Sequence, residues 1–250
     1  MPLRWKHFLI PLFAGIQAIS AIAQAPPPQR PPDGGTFERL ISIFIPSMAG
    51  APFSATVNTE WVRQLADGTT ITLKNRRAIA RDKHGRIFQE RRMLVPENGR
   101  QESFVTQIEI SDPVAHRLYI CIPHEHVCQV EAFSAPVTAP PTAVAGAGEQ
   151  SSKEALGKKL IDGVEVTGTL ETFVIPSGAI GNDSPISVKR EYWNSAQLGL
   201  NLISRRQDPR FGTQNFELSD VVLGEPDAKL FQAPRGFEVI DRLKQSHPAN

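Results

Sequence analysis

The sequence predicts an all-β protein with one or two short helices, built as a curved antiparallel sheet of half-open, barrel-like form. Three observations predict it. Apolar and polar residues alternate over many short segments, the period of a strand with one buried face. Turn dipeptides, Asp67-Gly68 and Asp162-Gly163 among them, separate those segments at steady spacing. The two cysteines, Cys121 and Cys128, flank a short segment that reads as the tip of a hairpin.

The alternation begins at Phe53, where Phe53, Ala55, Val57, Thr59 and Trp61 share one face of a strand. After Asp67-Gly68 the return strand, Thr70 to Lys74, turns Ile71 and Leu73 inward. Arg76 to Arg81 leads into a second turn, Asp82-Lys83-His84-Gly85. From Arg86 to Leu94, Phe88, Arg92 and Leu94 face one side, while Ile87, Gln89, Arg91 and Met93 face the other. Glu97-Asn98-Gly99 turns again, and Phe104, Thr106, Ile108 and Ile110 alternate up to Asp112-Pro113. Tyr119–Ile122 and Val127–Val130 are two short strands around Pro123-His124-Glu125-His126. The pattern stops in an Ala/Pro-rich stretch at 134–152 and resumes with Val164, Val166, Gly168, Leu170, Thr172 and Val174. Ile186–Trp193, Leu198–Arg206, and Phe216 to Leu223 complete the set, with Asp208–Gly212 as a turn. Pro226 to Phe231 reads as one helical turn. About ten short strands joined by tight turns describe a meander, in which the Ala/Pro stretch is an insertion between consecutive strands or a boundary between two halves, the insertion being favoured.

The head of the chain reads as an export signal. Arg4, Lys6 and His7 precede a charge-free apolar run, Phe8–Ile22, and the small-x-small pattern Ala21-Ile22-Ala23. The expected layout is a signal peptide at 1–23 and a disordered Pro-rich leader at 24–35. A single β domain at 36–241 follows, with its loop at 134–152, and then a flexible tail at 242–250. Within the domain, Thr36–Ile45 fits helical spacing, and Ile41–Ile45 also fits a strand ended by Pro46; the favoured reading is a short helix or irregular apolar segment that plugs an open edge of the sheet. Cleavage takes Arg4 and Lys6 from the 27 basic residues, leaving 25 against 26 acidic ones. That balance lacks the basic footprint of a nucleic-acid binder. No later run is apolar enough for a transmembrane helix.

An even cysteine count in an exported chain favours a disulfide, and Cys121 and Cys128 face each other across the predicted hairpin. Six residues separate them, unlike the C-x-x-C of redox pairs, so the bridge reads as structural. His124 and His126, at i and i+2 on its tip, are weak metal candidates without a recognised ligand spacing, and no cofactor is expected. There is no Gly-x-Ser-x-Gly elbow, phosphate loop or Ser/His/Asp layout, so the chain reads as a non-enzyme. Asp208 and Asp227 sit beside prolines, where carboxylates serve turns. The arginines 76, 77, 81, 86, 91 and 92 crowd adjacent strands and must divide between the two faces. One half is a candidate rim for anionic headgroups or polysaccharide, but the favoured reading is a solvated edge that resists strand-to-strand aggregation.

The C-terminal part carries Glu191-Tyr192-Trp193, Leu198-Gly199-Leu200, Asp208-Pro209-Arg210-Phe211-Gly212, and finally Leu230-Phe231-Gln232-Ala233-Pro234-Arg235-Gly236-Phe237-Glu238-Val239. This layout resembles the outer-membrane lipoprotein carrier proteins, in which a Trp-bearing strand and a final LF-x-x-P-x-G segment complete a half-open β-barrel. The match covers about fifty residues. More broadly the chain resembles uncharacterised exported bacterial proteins, with the same Arg81-Asp82…Gly85-Arg86 turn and cysteine pair. The resemblance implies a hydrophobic cavity. The expected function is therefore non-enzymatic, periplasmic or secreted. It is binding or carriage of a lipid, an acyl chain or a lipidated partner, with Trp61, Arg86, Phe88 and Trp193 as candidate ligand-binding residues. The alternative is an envelope protein–protein interaction or structural module.

Overall fold

A computed structural model of the chain describes residues 42–134 and 150–245. In chain order the strands are β1 (Phe53–Gln64), β2 (Thr70–Arg81), β3 (Ile87–Arg92), β4 (Val95–Pro96), β5 (Val105–Asp112), β6 (Arg117–Ile122) and β7 (Val127–Ala132). They continue with β8 (Gln150–Ile161), β9 (Val164–Ile175), β10 (Ile186–Ser195), β11 (Leu200–Asp208), β12 (Gly212–Leu223) and β13 (Glu238–Asp241). A 3-10 turn spans Ala228–Phe231, and one helical turn, α1, spans Arg242–Gln245. All thirteen strands join one open, curved sheet in the order β13-β7-β6-β5-β3-β2-β1-β12-β11-β10-β9-β8, with β4 paired to β2. Only the β13–β7 pair is parallel.

The sequence reading of a continuous meander needs correction. Strands β1–β7 form one meander and β8–β12 another, and the two are welded where β1 pairs with β12, from Phe53↔Leu223 to Val62↔Thr213. Consequently β7 and β8, consecutive in sequence, lie toward opposite ends of the sheet rather than side by side. The Ala/Pro stretch therefore joins two halves. Its central residues, 135–149, lie outside the described residues, as do the predicted signal and leader, and Gln150–Ser152 already belong to β8. The weld follows from apolar matching: Val57 faces Leu218 and Thr59 faces Phe216, and all four are buried.

Register then divides every strand between two faces. The inner face carries Phe53, Ala55 and Val57 of β1, Ile79 of β2, Ile87 of β3, and Phe216 and Leu218 of β12, which together form much of the main core. Ile43 and Ile45, on irregular chain before β1, are buried in that core. This part of the predicted plug thus packs against core residues of central strands rather than an edge. Its upstream part lies outside the described residues. On the outer face Ala80, Phe88 and Ile110 make a second cluster, closed by Phe231 of the 3-10 turn. Asp227 caps that turn by accepting from the Lys229 N–H at 2.9 Å. No helix among the described residues is long and apolar enough to cross a membrane.

Candidate functional site

The inner face changes character beyond the core. Arg77 on β2 stands opposite Val57 and is only 4% exposed. Its Nη2 donates to Ser42 Oγ at 2.7 Å, while Nη1 is buried without a hydrogen-bond partner among the described residues. Burial brings the guanidinium down to about 10. Repulsion from Arg91 adds to that shift, and Glu109 and Glu90 oppose it. The neighbouring strands carry a polar network on the same face. Arg91 grips Glu109 through Nε at 3.0 Å and Nη2 at 2.9 Å. Gln89 and Gln107 donate to the same carboxylate at 2.7 and 2.8 Å. Glu109 is therefore committed to Arg91 and two amides.

Further along, the same face turns aliphatic. Glu109 pairs with Ile120 and Ile122 pairs with Val127, so Leu118, Ile120 and Ile122 of β6 lie on the inner face with Val127 of β7. The parallel pair Gln129↔Ile240 adds Ile240 of β13. All five are only half-buried. At ~4.8 Å per strand, this row begins roughly 14 Å from Arg77. An amphipathic strip therefore runs across the N-terminal half, cationic at one end and aliphatic at the other.

Arg81 shows what a structural arginine looks like here. It is fully buried on the same strand and its cation lies 5.1 Å from the Phe53 ring. Nε and Nη2 donate to Ala51 O at 3.0 and 2.8 Å, Nη1 to Pro46 O at 3.0 Å, and Nη2 also to Leu198 O at 2.7 Å. It ties the chain before β1, and the turn before β11, to β2. Burial brings it down to about 10 as well. Next to it, Asp82 is fully buried and accepts from the N–H groups of His84 and Arg86 and from Arg86 Nε, closing the β2–β3 turn.

The outer face is a polar ladder. Register aligns Glu191, Arg205, Asn215, Glu60 and Lys74 across five strands. Lys74 pairs with Glu60 at 3.0 Å and with Glu97. Asn215 donates to Glu60 at 2.9 Å, and Arg205 lies 3.6 Å from Glu191. The bonds from Lys74 and Asn215 hold the Glu60 carboxyl below its usual range. An open pocket of about 630 Å³ sits on this ladder, walled by Arg92, Val95 and Ser103 where β2 and β3 part. A second, of about 830 Å³, lies at the strand ends near Gln64, Lys189, Gln207 and Phe211. Both are lined chiefly by polar and charged residues, whose apolar stems make up much of the exposed wall.

The four predicted ligand residues do not converge. Trp61 is on the inner face, its Nε1 donating to Phe211 O at 2.9 Å with Arg63 at 4.9 Å from its ring. Trp193 pairs with Ile203 and Gly168 and is buried in the main core, under Lys159 at 3.9 Å. Its Nε1 donates to Glu191 at 2.6 Å. Phe88 is buried in the outer cluster, and Arg86 stacks 5.0 Å from Phe231 beside it. Only Arg86 and Phe88 come together, and they do so under the C-terminal cover. The arginines divide as their alternation requires: Arg77, Arg81 and Arg91 go inward. Arg76 goes outward and pairs with Asp220 at 3.3 Å. Cys121 and Cys128 pair directly across β6 and β7 and are bridged, so neither is a thiolate ligand. His124 is exposed at that hairpin's tip, and the His126 ring lies 5.4 Å from Phe237. No group of three or more metal-capable side chains occurs among the described residues. Sequence reasoning named Arg77 only within the arginine group, without singling it out, and missed the Leu118–Ile122 row. Their shared face becomes visible only through the register.

No protein-family model matches the chain, and no curated protein matches it. Solved structures similar to it include an uncharacterized conserved protein from Thermus thermophilus, at 9% identity and TM-score 0.36, covering 76% of this chain and 90% of that one. A second is in the complex of Pseudomonas aeruginosa MucA and MucB, at 14% identity and TM-score 0.39. It covers 78% of this chain, which spans only 59% of that one. A third is described as an outer-membrane lipoprotein-sorting protein domain from Vibrio parahaemolyticus, at 9% identity and TM-score 0.18, covering 72% of this chain and 88% of that one.

Proposed function

We propose that the chain is a non-enzymatic, exported binding module that takes an acyl chain, a lipid or a lipidated partner on the inner face of its sheet. The observation that supports this is the contiguous half-buried row Leu118, Ile120, Ile122, Val127 and Ile240. Such a strip gains about 0.8 kcal/mol for each methylene it removes from water. The two polar pockets have no role in this reading. The test is titration of a fluorescent long-chain fatty acid into the signal-cleaved protein and its Ile120→Asp variant. Saturable binding that is lost in the variant supports the reading. Binding of equal strength in both, or none to the wild type, rejects it.

A second reading, contact with a partner protein, is favoured by β8. This strand closes one end of the sheet, and Ser151–Ala155 and Gly157–Leu160 are exposed along it. Its outer edge offers unpaired backbone groups to an added strand. Proline at Lys158 would block that edge while leaving acyl-chain binding intact.

A further inference from the structure

We infer that the inner-face ligand is anionic, and that Arg77 holds its charged head. This rests on the acyl-chain reading above and names the chemical class of its ligand: an amphiphile ending in a carboxylate or a phosphate.

The two buried arginines of β2 differ in how their cations are satisfied. Arg81 is buried, yet all three of its guanidinium nitrogens donate to carbonyl oxygens, so its cation is solvated by the chain itself. Arg77 is buried nearly as deeply, and its one side-chain hydrogen bond among the described residues is to Ser42 Oγ. Its Nη1 donor has none. A buried cation without compensating acceptors is costly, and an anion that reaches it regains both a hydrogen bond and the charge pairing.

The surrounding charges sharpen the point. Glu109 is the inner-face carboxylate nearest in register, and Arg91, Gln89 and Gln107 occupy both of its oxygens. Glu90, the other acidic neighbour, accepts from Arg92 Nε at 2.8 Å and from the Ala78 N–H at 3.1 Å. Arg91 and Glu109 offset one another, so no inner-face carboxylate among the described residues opposes Arg77 locally; the other acidic residues of this face on that side, Glu131 and Glu238, lie on β7 and β13 beside the aliphatic row. The aliphatic row begins three strands away, a distance that the chain of a common fatty acid bridges when extended. Head and tail are thus offered partners at opposite ends of one strip. A neutral lipid would leave the Arg77 Nη1 donor unsatisfied, so the site discriminates by charge.

The experiment measures affinities of the signal-cleaved protein for myristic acid, myristyl phosphate and myristyl alcohol, in wild type, Arg77→Gln and Arg77→Lys. The wild type should bind at least one of the two anions about tenfold or more tightly than the alcohol. Preference for the acid, the phosphate or both tells which head is taken. Arg77→Gln should lose the preference while keeping its affinity for the alcohol, which also reports that the fold and the aliphatic row are intact. Arg77→Lys should retain part of the preference, because the charge remains. Should Arg77→Gln bind no alcohol, Arg77→Lys decides: a retained preference supports the inference and a lost one overturns it. Equal affinity of the wild type for acid, phosphate and alcohol overturns the Arg77 assignment and leaves the acyl-chain reading standing. So does a preference that survives in Arg77→Gln. Failure of all three probes to bind overturns both.

Discussion

Replacing Arg81 with methionine tests how the fold is held together. The side chain is fully buried and serves three carbonyl acceptors, those of Pro46, Ala51 and Leu198. Methionine fills similar volume and donates nothing. Each acceptor left unsatisfied costs about 1–3 kcal/mol. Removing a desolvated cation recovers part of that sum, leaving a net loss of about 4 kcal/mol from the three unsatisfied acceptors. Against a total stability of about 5–15 kcal/mol, such a loss is severe. With a urea m-value of about 2 kcal/mol/M, the unfolding midpoint falls by about 2 M at unchanged m. The assay is equilibrium urea unfolding followed by circular dichroism. Arg76→Met serves as control: Arg76 and Asp220 are both well exposed, so losing their pair costs at most about 1 kcal/mol. A loss under about 1 kcal/mol in Arg81→Met would refute the reasoning, because the carbonyls would then have another source of donors.

Other expectations can be checked in the same assay. Reducing the Cys121–Cys128 bridge, or replacing both cysteines with alanine, should lower stability by about 2–3 kcal/mol, the chain-entropy value for so short a loop. Gly168→Ala would place a Cβ 2.7 Å from the Trp193 ring and 2.8 Å from Leu156 Cβ. It should therefore cost about 1–3 kcal/mol and shift the Trp193 component of the fluorescence. Burial raises the Asp208 carboxyl, but the bonds from Arg210 and the charge of Arg206 outweigh it, so its folded-state pKa lies below the usual carboxylate range. The stabilisation it provides is complete above about pH 4 and is lost as pH falls through that lowered value. Asp208→Asn should flatten this part of the acid unfolding curve, and an unchanged slope would show that Asp208 gains nothing on folding.

Much of the sheet was legible before its arrangement was. Phe53 to Trp61 alternates cleanly because β1 is central and one of its faces is core. The Asp67-Gly68 and Asp162-Gly163 turns, the cysteine hairpin and the turn at Pro226–Phe231 depend on local chemistry, and all occur where that chemistry places them. Strand β8 gave no signal: nearly all of Ser151–Leu160 is exposed, so no face imposed an apolar period. The β1–β12 weld was equally hidden, since partners more than 150 residues apart leave no local trace. Arg77 and Arg81 look alike in sequence. What separates them is whether carbonyls from the chain before β1, and from the turn at Leu198, happen to reach the guanidinium. Trp61 and Trp193 were grouped as aromatic candidates, but Trp193 is buried in the main core while Trp61 is only half-buried and bonds Phe211 at the strand ends.

The central claim is that the inner face carries an acyl-chain ligand. Mass spectrometry of organic extracts from the natively purified, signal-cleaved protein, set against a mock purification, tests it most directly. The account predicts an amphiphile with an anionic head at close to one per chain. Extracts no different from the mock, together with no uptake of added fatty acid, would contradict it.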